Sequence, residues 1–363
     1  MLDQDRIVTC PTGTGDDAAV EMRGVTKTFA QWQRSTGGRD LLRNLFHPAK
    51  KEVTALDEVS FRVARGEFTA YAGPNGAGKS TTMKLLSGML LPNAGEISVL
   101  GMSPKSDRIP LMRRVGVMFG NRTELWWDHP VVQSFEWKRV VWEIPKERYR
   151  RILDTVVELL DIGDLLQTFA RELSLGQRMR ADLAMMLLHE PELILLDEPT
   201  IGLDVLAKRQ MISILKHWNR ERGTTILVTS HDMDDLEEMA RRIVMIERGR
   251  IAFDGSFEAL RDTVGQQCRV VLTVESELAP VLTSVDGADV TRVEDARVED
   301  RKAGVHALSD IGVHRYEYVF DKEKIPISEL LAQFGRIPGI RDVEIKKASI
   351  EEIIAEMYGR WKV

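Results

Sequence analysis

Gly73-Pro74-Asn75-Gly76-Ala77-Gly78-Lys79-Ser80 is the most informative segment of the chain for its fold class. It fits the pattern G-x-x-x-x-G-K-[ST], which belongs to the turn between a buried strand and a helix. Both neighbours are legible. Phe68, Ala70 and Ala72 alternate ahead of the turn, and a helix is predicted from Lys79 to Leu90. Glycines let backbone N–H groups crowd around phosphate oxygens, and the unpaired N–H groups at a helix start add positive potential. Lys79 is placed to neutralise charge at β- and γ-phosphates, and Ser80 to offer its hydroxyl to Mg²⁺.

Working outward, Leu193-Ile194-Leu195-Leu196-Asp197-Glu198 reads as a buried strand that ends in two adjacent carboxylates. Charge is costly there unless something needs it. Mg²⁺ supplies the need: Asp197 suits a metal-side role, and Glu198 is placed to polarise an attacking water. Taken alone, the run also fits an ordinary strand end. Downstream, the strand Thr225 to Thr229 leads into Ser230-His231. A histidine at a strand's carboxyl end lies at the edge where α/β proteins bind ligands, although a lone surface histidine fits as well. These apolar strands alternate with helices such as Leu206 to Arg220, a pattern that calls for a parallel sheet covered on both faces. Between Pro130 and Leu188 the apolar positions Ile152, Val156, Leu159 and Leu160 follow helical spacing, so a helical subdomain (about 122–189) is expected inside the α/β core.

The chain of 363 residues is 43% hydrophobic and 29% charged, enough for one large domain and a smaller one. Residues 1–18 read as a flexible leader and 19–264 as the main domain, with a basic insertion over about 31–52 that includes Arg34, Arg39, Arg43, Lys50 and Lys51. From 265 to 363 short alternating strands and two short helices, near Ile327 and Ile350, indicate a small α+β domain. The charge run from Arg292 to Lys302 reads as a solvated loop. A net charge of −6 argues against a generally basic, nucleic-acid-binding surface. There is no uncharged apolar run of membrane-spanning length and no signal-like start, so a cytoplasmic location is expected. Two cysteines, Cys10 and Cys268, give neither a disulfide framework nor a metal site.

Together these residues resemble the nucleotide-binding domains of ABC proteins, over roughly residues 20 to 260. Besides the glycine loop and the carboxylates, Leu173-Ser174-Leu175-Gly176-Gln177 looks like the family signature, with Leu175 where glycine is usual. Pro199-Thr200-Ile201-Gly202-Leu203-Asp204 resembles the D-loop, and His231 the switch histidine. The resemblance implies a P-loop NTPase core with a mixed sheet and an inserted helical subdomain. It also implies ATP and Mg²⁺ as ligands and a second ATPase subunit facing the first head to tail. ATP would then lie between Gly73–Thr81 of one copy and Ser174, Gly176 and Gln177 of the other, near Asp204, with Glu198 as base and His231 holding the γ-phosphate. Asn121, in Val117-Met118-Phe119-Gly120-Asn121, stands where the family usually has glutamine, and a Mg²⁺ or water contact is expected of it. Phe29 is the candidate for stacking on adenine, and it fits a core phenylalanine equally.

Four of the seven tryptophans fall close together: Trp126, Trp127, Trp137 and Trp142. Such a group packs a core or, in ABC transporters, lines the groove that receives a coupling helix of the membrane subunit. The basic insertion fits a solvated hairpin or a contact with phospholipid headgroups or permease. The whole pattern resembles ATPases paired with type-2 ABC permeases, which are mostly exporters, and implies a peripheral place on the inner face of the membrane. The rival reading is a soluble ABC ATPase that moves ribosomes or DNA. Such proteins usually carry two ATPase units or a long coiled-coil or zinc insertion; one phosphate loop is present here.

Overall fold

The computed structural model describes residues 18–32, 50–120, 122–263, 267–274, 288–293, 314–321, 326–335, 340–347 and 354. The chain divides into two compact units, Met1–Phe257 and Glu258–Val363.

The first unit opens with β1 (Ala18–Trp32) and β2 (Lys50–Ala64), paired antiparallel from Ala18↔Ala64 to Trp32↔Lys50. Val20, Met22, Val59, Phe61 and Val63 are buried along these strands, one face of each turned to the core. Gln31, Trp32, Lys50 and Lys51 of the expected insertion belong to this ladder, and Arg34, Arg39 and Arg43 lie outside the described residues. Next come β3 (Phe68–Ala72), the glycine loop and α1 (Lys79–Leu86). The helix stops four residues short of the predicted Leu90. Ser87 N–H donates to Met83 O and Gly88 N–H to Leu85 O, and Gly88 takes a φ of 68° that ends the spiral at little cost. β4 (Ala94–Val99) then returns to pair with β1, making a three-stranded sheet in the order β2-β1-β4.

After α2 (Arg108–Met112) and β5 (Val115–Phe119) the chain leaves the core for a helical block. Its helices are α3 (Val131–Val141), α4 (Lys146–Leu160) and α5 (Leu175–Leu187). The spacing of Ile152, Val156 and Leu160 puts all three on the buried face of α4. The chain re-enters as β6 (Leu193–Asp197), α6 (Val205–Arg222), β7 (Thr225–Thr229), α7 (Met233–Met239), β8 (Arg242–Glu247) and β9 (Arg250–Ser256).

The main sheet runs in the order β5-β6-β7-β3-β8-β9, with parallel pairing throughout except between β8 and β9. That last pair makes the sheet mixed. Only Arg248 and Gly249 separate the two strands, both with positive φ, and a two-residue connection can only return the chain antiparallel. Every residue of β6 and β7 is buried, as their unbroken apolar runs require. Because the strands are parallel, Ala72, Phe119, Asp197 and Thr229 end at one edge of the sheet. The site is built there.

α8 (Phe257–Thr263) begins at the boundary between the units. The second unit contains β10 (Gln267–Val274), β11 (Ala288–Val293), β12 (His314–Asp321), α9 (Ile327–Phe334) and β13 (Ile340–Lys347). Its strands form an antiparallel sheet in the order β11-β12-β10-β13. Tyr318 and Phe334 are buried against each other with ring centroids 4.9 Å apart. Arg292 lies within β11, paired with Tyr316, so the charge run begins inside a strand rather than in a loop. Val290 and Val293 explain the difference, since β-branched residues favour the pleated chain.

Candidate nucleotide-binding site

The loop between β3 and α1 is shaped by contacts that exclude side chains. A Cβ at Gly73 would fall 2.2 Å from the carbonyl oxygen of Ile246 in β8. At Gly78, which has a φ of 119°, it would fall 2.6 Å from Leu56 Cδ2 and 2.7 Å from the Ala55 carbonyl oxygen. Glycine is thus needed for close approach at one end of the loop and for backbone conformation at the other. Ala77 N–H donates to Pro74 O at 3.1 Å and Gly249 N–H to Ala77 O at 3.0 Å, tying the loop to the β8–β9 turn. Pro74, Asn75 and Gly76 remain exposed, while Ser80 and Thr81 are half-buried in the first turn of α1. N–H groups of that turn have no intrahelical acceptor.

Lys79 is buried, at 6% exposure, and its Nζ donates to Gly73 O at 2.7 Å and Pro74 O at 3.3 Å. Burial lowers the pKa of its ammonium, against the opposing pull of the Glu198 and Asp197 carboxylates. Ser80 and Asp197 line one cavity of about 520 Å³, together with Phe119, Gly120 and Asp182. A buried cation under an exposed loop, a row of N–H donors, and a hydroxyl and carboxylate on one cavity fit a magnesium-bound polyphosphate.

Asp197 is the last residue of β6 and is buried, with Oδ1 accepting from Thr229 Oγ1 at 2.7 Å. Glu198 follows with a φ of 55°, rare for an L-residue. Its N–H donates to both Thr229 O, at 3.1 Å, and Thr229 Oγ1, at 3.0 Å. His231 is exposed, and its Nδ1 lies 3.9 Å from Glu198 Oε2. Lys79, Ser80, Asp197, Glu198 and His231 are therefore gathered at the carboxyl edge. Thr229 is the residue that sequence reading missed. As the end of the run Thr-Ile-Leu-Val-Thr it passes for strand filler, and only the register Asp197↔Thr229 discloses its partner.

The signature residues lie elsewhere. Ser174 caps α5: its Oγ accepts from Gln177 N–H at 3.3 Å, while Gln177 Oε1 accepts from Ser174 N–H at 2.9 Å. The hydroxyl proton of Ser174 and the first-turn N–H groups of Leu175 and Gly176 have no acceptor within the helix. Asp204 caps α6, accepting from Leu206 N–H and Ala207 N–H at 2.9 Å each. Ser174, Gly176, Gln177 and Asp204 share a second cavity, of about 320 Å³, separate from the one lined by Ser80 and Asp197. Leu175, Val205 and Leu206 beside it are exposed. Phe29 is half-buried on β1 opposite Val53, with Lys27 Nζ 5.3 Å from its ring centroid. Asn121 lies outside the described residues.

The tryptophans form a chain of rings over the helical block. Trp126 lies 5.7 Å from Trp137, and Trp137 lies 6.3 Å from Trp142. The Arg178 guanidinium sits 4.6 Å from the centre of Trp127. Three of the four rings face solvent, with Trp126, Trp127 and Trp137 exposed by 39%, 49% and 37%. Val140, Val141 and Met89 are exposed too. Trp142 lines the 520 Å³ cavity with Lys138 and Glu124.

A glycine loop with a buried lysine, facing paired carboxylates across the carboxyl edge of a parallel sheet, defines a P-loop nucleoside triphosphatase. Residues 56–201 match the family described as ABC transporter. The daunorubicin resistance ATP-binding protein DrrA3 of Streptomyces coeruleorubidus is 32% identical over 274 residues, covering 71% of this chain and 84% of that one. The glucose import ATP-binding protein GlcV of Saccharolobus solfataricus is 33% identical over 232 residues, covering 62% of this chain and 65%, just under two thirds, of that relative. Among solved structures, cbiO1 from Clostridium perfringens, part of the ABC transporter complex cbiONQ, superposes with a TM-score of 0.56 at 25% identity. The superposition covers 68% of this chain and 92% of that one. The chain belongs to the ABC transporter family as an ATP-binding protein, and it is an ATPase.

Proposed function

We propose that this ATPase powers an exporter through separate permease subunits, working as a dimer on the inner face of the membrane. The observation that carries the site assignment is the convergence of Lys79, Asp197, Glu198 and His231 on one sheet edge below the exposed loop. Lys79 and the N–H groups of Gly76 to Thr81 bind the phosphates. Magnesium held by the Ser80 hydroxyl and Asp197, with Asn121 as a further oxygen donor, offsets phosphate charge when bound. Glu198 orients the attacking water and accepts its proton on the carboxylate; His231, next to it, steadies the terminal phosphate. Phe29 stacks on the base.

Two features support the dimer. Ser174, Gly176 and Gln177 present a capped helix start, and Asp204 lies beside it, yet all line a cavity separate from that of Ser80 and Asp197. Leu175, Val205 and Leu206 leave an apolar rim around them in need of cover. A second copy turned head to tail supplies both. Export follows the resemblance to ATPases paired with type-2 permeases, and the match to the resistance protein DrrA3 over 71% of this chain agrees with it.

The test is on the full chain. Lys79→Ala should weaken ATP binding by about tenfold or more, as expected for loss of a charge-assisted contact. Glu198→Gln should keep ATP binding and lose turnover; normal turnover in Glu198→Gln would refute the base.

A further inference from the structure

We infer that Thr229 is a positioning residue for hydrolysis, its hydroxyl locking Asp197 and the backbone of Glu198 to one another. The inference rests on the reading of Asp197 as the metal-side carboxylate and Glu198 as the base.

Thr229 ends β7 directly opposite Asp197 in the parallel register and has no exposed surface. Its Oγ1 makes two bonds at once, to Asp197 Oδ1 at 2.7 Å and to Glu198 N at 3.0 Å. Their direction is forced. Glu198 N–H is a donor only, so the hydroxyl accepts there, and its single proton goes to the carboxylate. One oxygen of Asp197 is thereby committed to the protein, which leaves Oδ2 for the metal side and fixes how the carboxylate is turned. The same hydroxyl, with the Thr229 carbonyl, holds the Glu198 N–H on both acceptors while Glu198 keeps its left-handed conformation. Such a conformation persists in an L-residue only where the surroundings over-determine it.

Burial alone does not explain a threonine here. The three preceding residues, Ile226, Leu227 and Val228, are apolar and fully buried, and valine would fill the same space. What valine lacks is the bridge. It would leave Asp197 Oδ1 without that donor and Glu198 N–H with the Thr229 carbonyl as its remaining partner. Loss of an outer partner of a metal-site group costs about 10- to 100-fold in metal affinity or activity, and that is the scale expected here.

Phosphate binding at Gly73–Thr81 does not pass through Thr229, so the effect should fall on kcat and spare the KM for ATP. The experiment measures steady-state ATP hydrolysis by the full chain with saturating Mg²⁺, comparing Thr229→Val, Thr229→Ser and Glu198→Gln, with heat unfolding as a fold check. Thr229→Val should lose about 10- to 100-fold in kcat with KM changed by no more than about twofold, and Thr229→Ser should recover most of the rate. Wild-type kcat in Thr229→Val beside an inactive Glu198→Gln overturns the positioning role alone. A Thr229→Ser variant slowed about 10- to 100-fold against wild type also overturns it, because the hydroxyl then does not set the rate. That arm decides the matter even where Thr229→Val fails to fold. Normal turnover in Glu198→Gln overturns the base assignment, and the positioning of that base with it.

Discussion

His189 shows how burial fixes charge at a single residue. Its ring is buried after α5, with Nε2 3.2 Å from the carbonyl oxygen of Val115 and the indole of Trp142 6.1 Å from its centre. Burial, with Lys138 and Arg148 nearby, lowers its pKa to about 3 from an ordinary 6.5. Between those two values the unfolded chain carries a proton that the folded chain refuses, so stability rises with pH across the window and is lost on acidification toward 3. Asp182 opposes this, since burial raises its carboxyl to about 6 and stability falls as pH climbs from 3.8 to there. The difference between wild type and His189→Phe isolates the histidine: urea midpoints of the variant should fall less between pH 6.5 and pH 4 than those of wild type. Equal losses would show that His189 is not held neutral. At this scale the sequence placed Lys79, Asp197 and Glu198 at the proposed site, because motif spacing lies within a few residues. Thr229 was not legible, because its partner stands 32 positions earlier and only the register brings them together.

Among elements, legibility followed how local the cause is. The strand β3 ahead of the glycine loop and the 3.6-residue spacing in α4 each lie within one element and read directly from the sequence. The end of α1 did not, because Leu90 continues the apolar pattern after Gly88 has already broken the helix. Whether the tryptophans are core or surface could not be read either, since burial depends on what packs above them. The structure turns Trp126, Trp127 and Trp137 outward, beside Val140 and Val141 of α3. Exposed apolar side chains with aromatic anchors among them suit an interaction face, and with the family established the permease is the proposed partner. Trp126→Ala with Trp127→Ala should release the co-expressed permease in a pull-down and leave ATP binding within about twofold of wild type, because removing interface anchors costs about 2 kcal/mol or more each while the phosphate loop is untouched. Unaltered co-purification would rule this face out as the dock.

For the whole molecule, the membrane relationship rests on what surrounds the cassette. No helix among the described residues is long and apolar enough to cross a membrane, and the proposed transport path is assigned to separate permease subunits. The family and the mixed α/β core were legible from the order of motifs. That the signature and the phosphate loop line separate cavities was foreshadowed only through the resemblance, because sequence order alone says nothing of which residues of one copy can meet. Closing that gap with a second copy is the central claim. It is tested most directly by the solution mass of the Glu198→Gln full chain, measured by light scattering with and without ATP and Mg²⁺. Adding ATP should raise the mass from 41.1 kDa to about twice that value, and Lys79→Ala should abolish the change. A Glu198→Gln chain that binds ATP and keeps the same mass would contradict it.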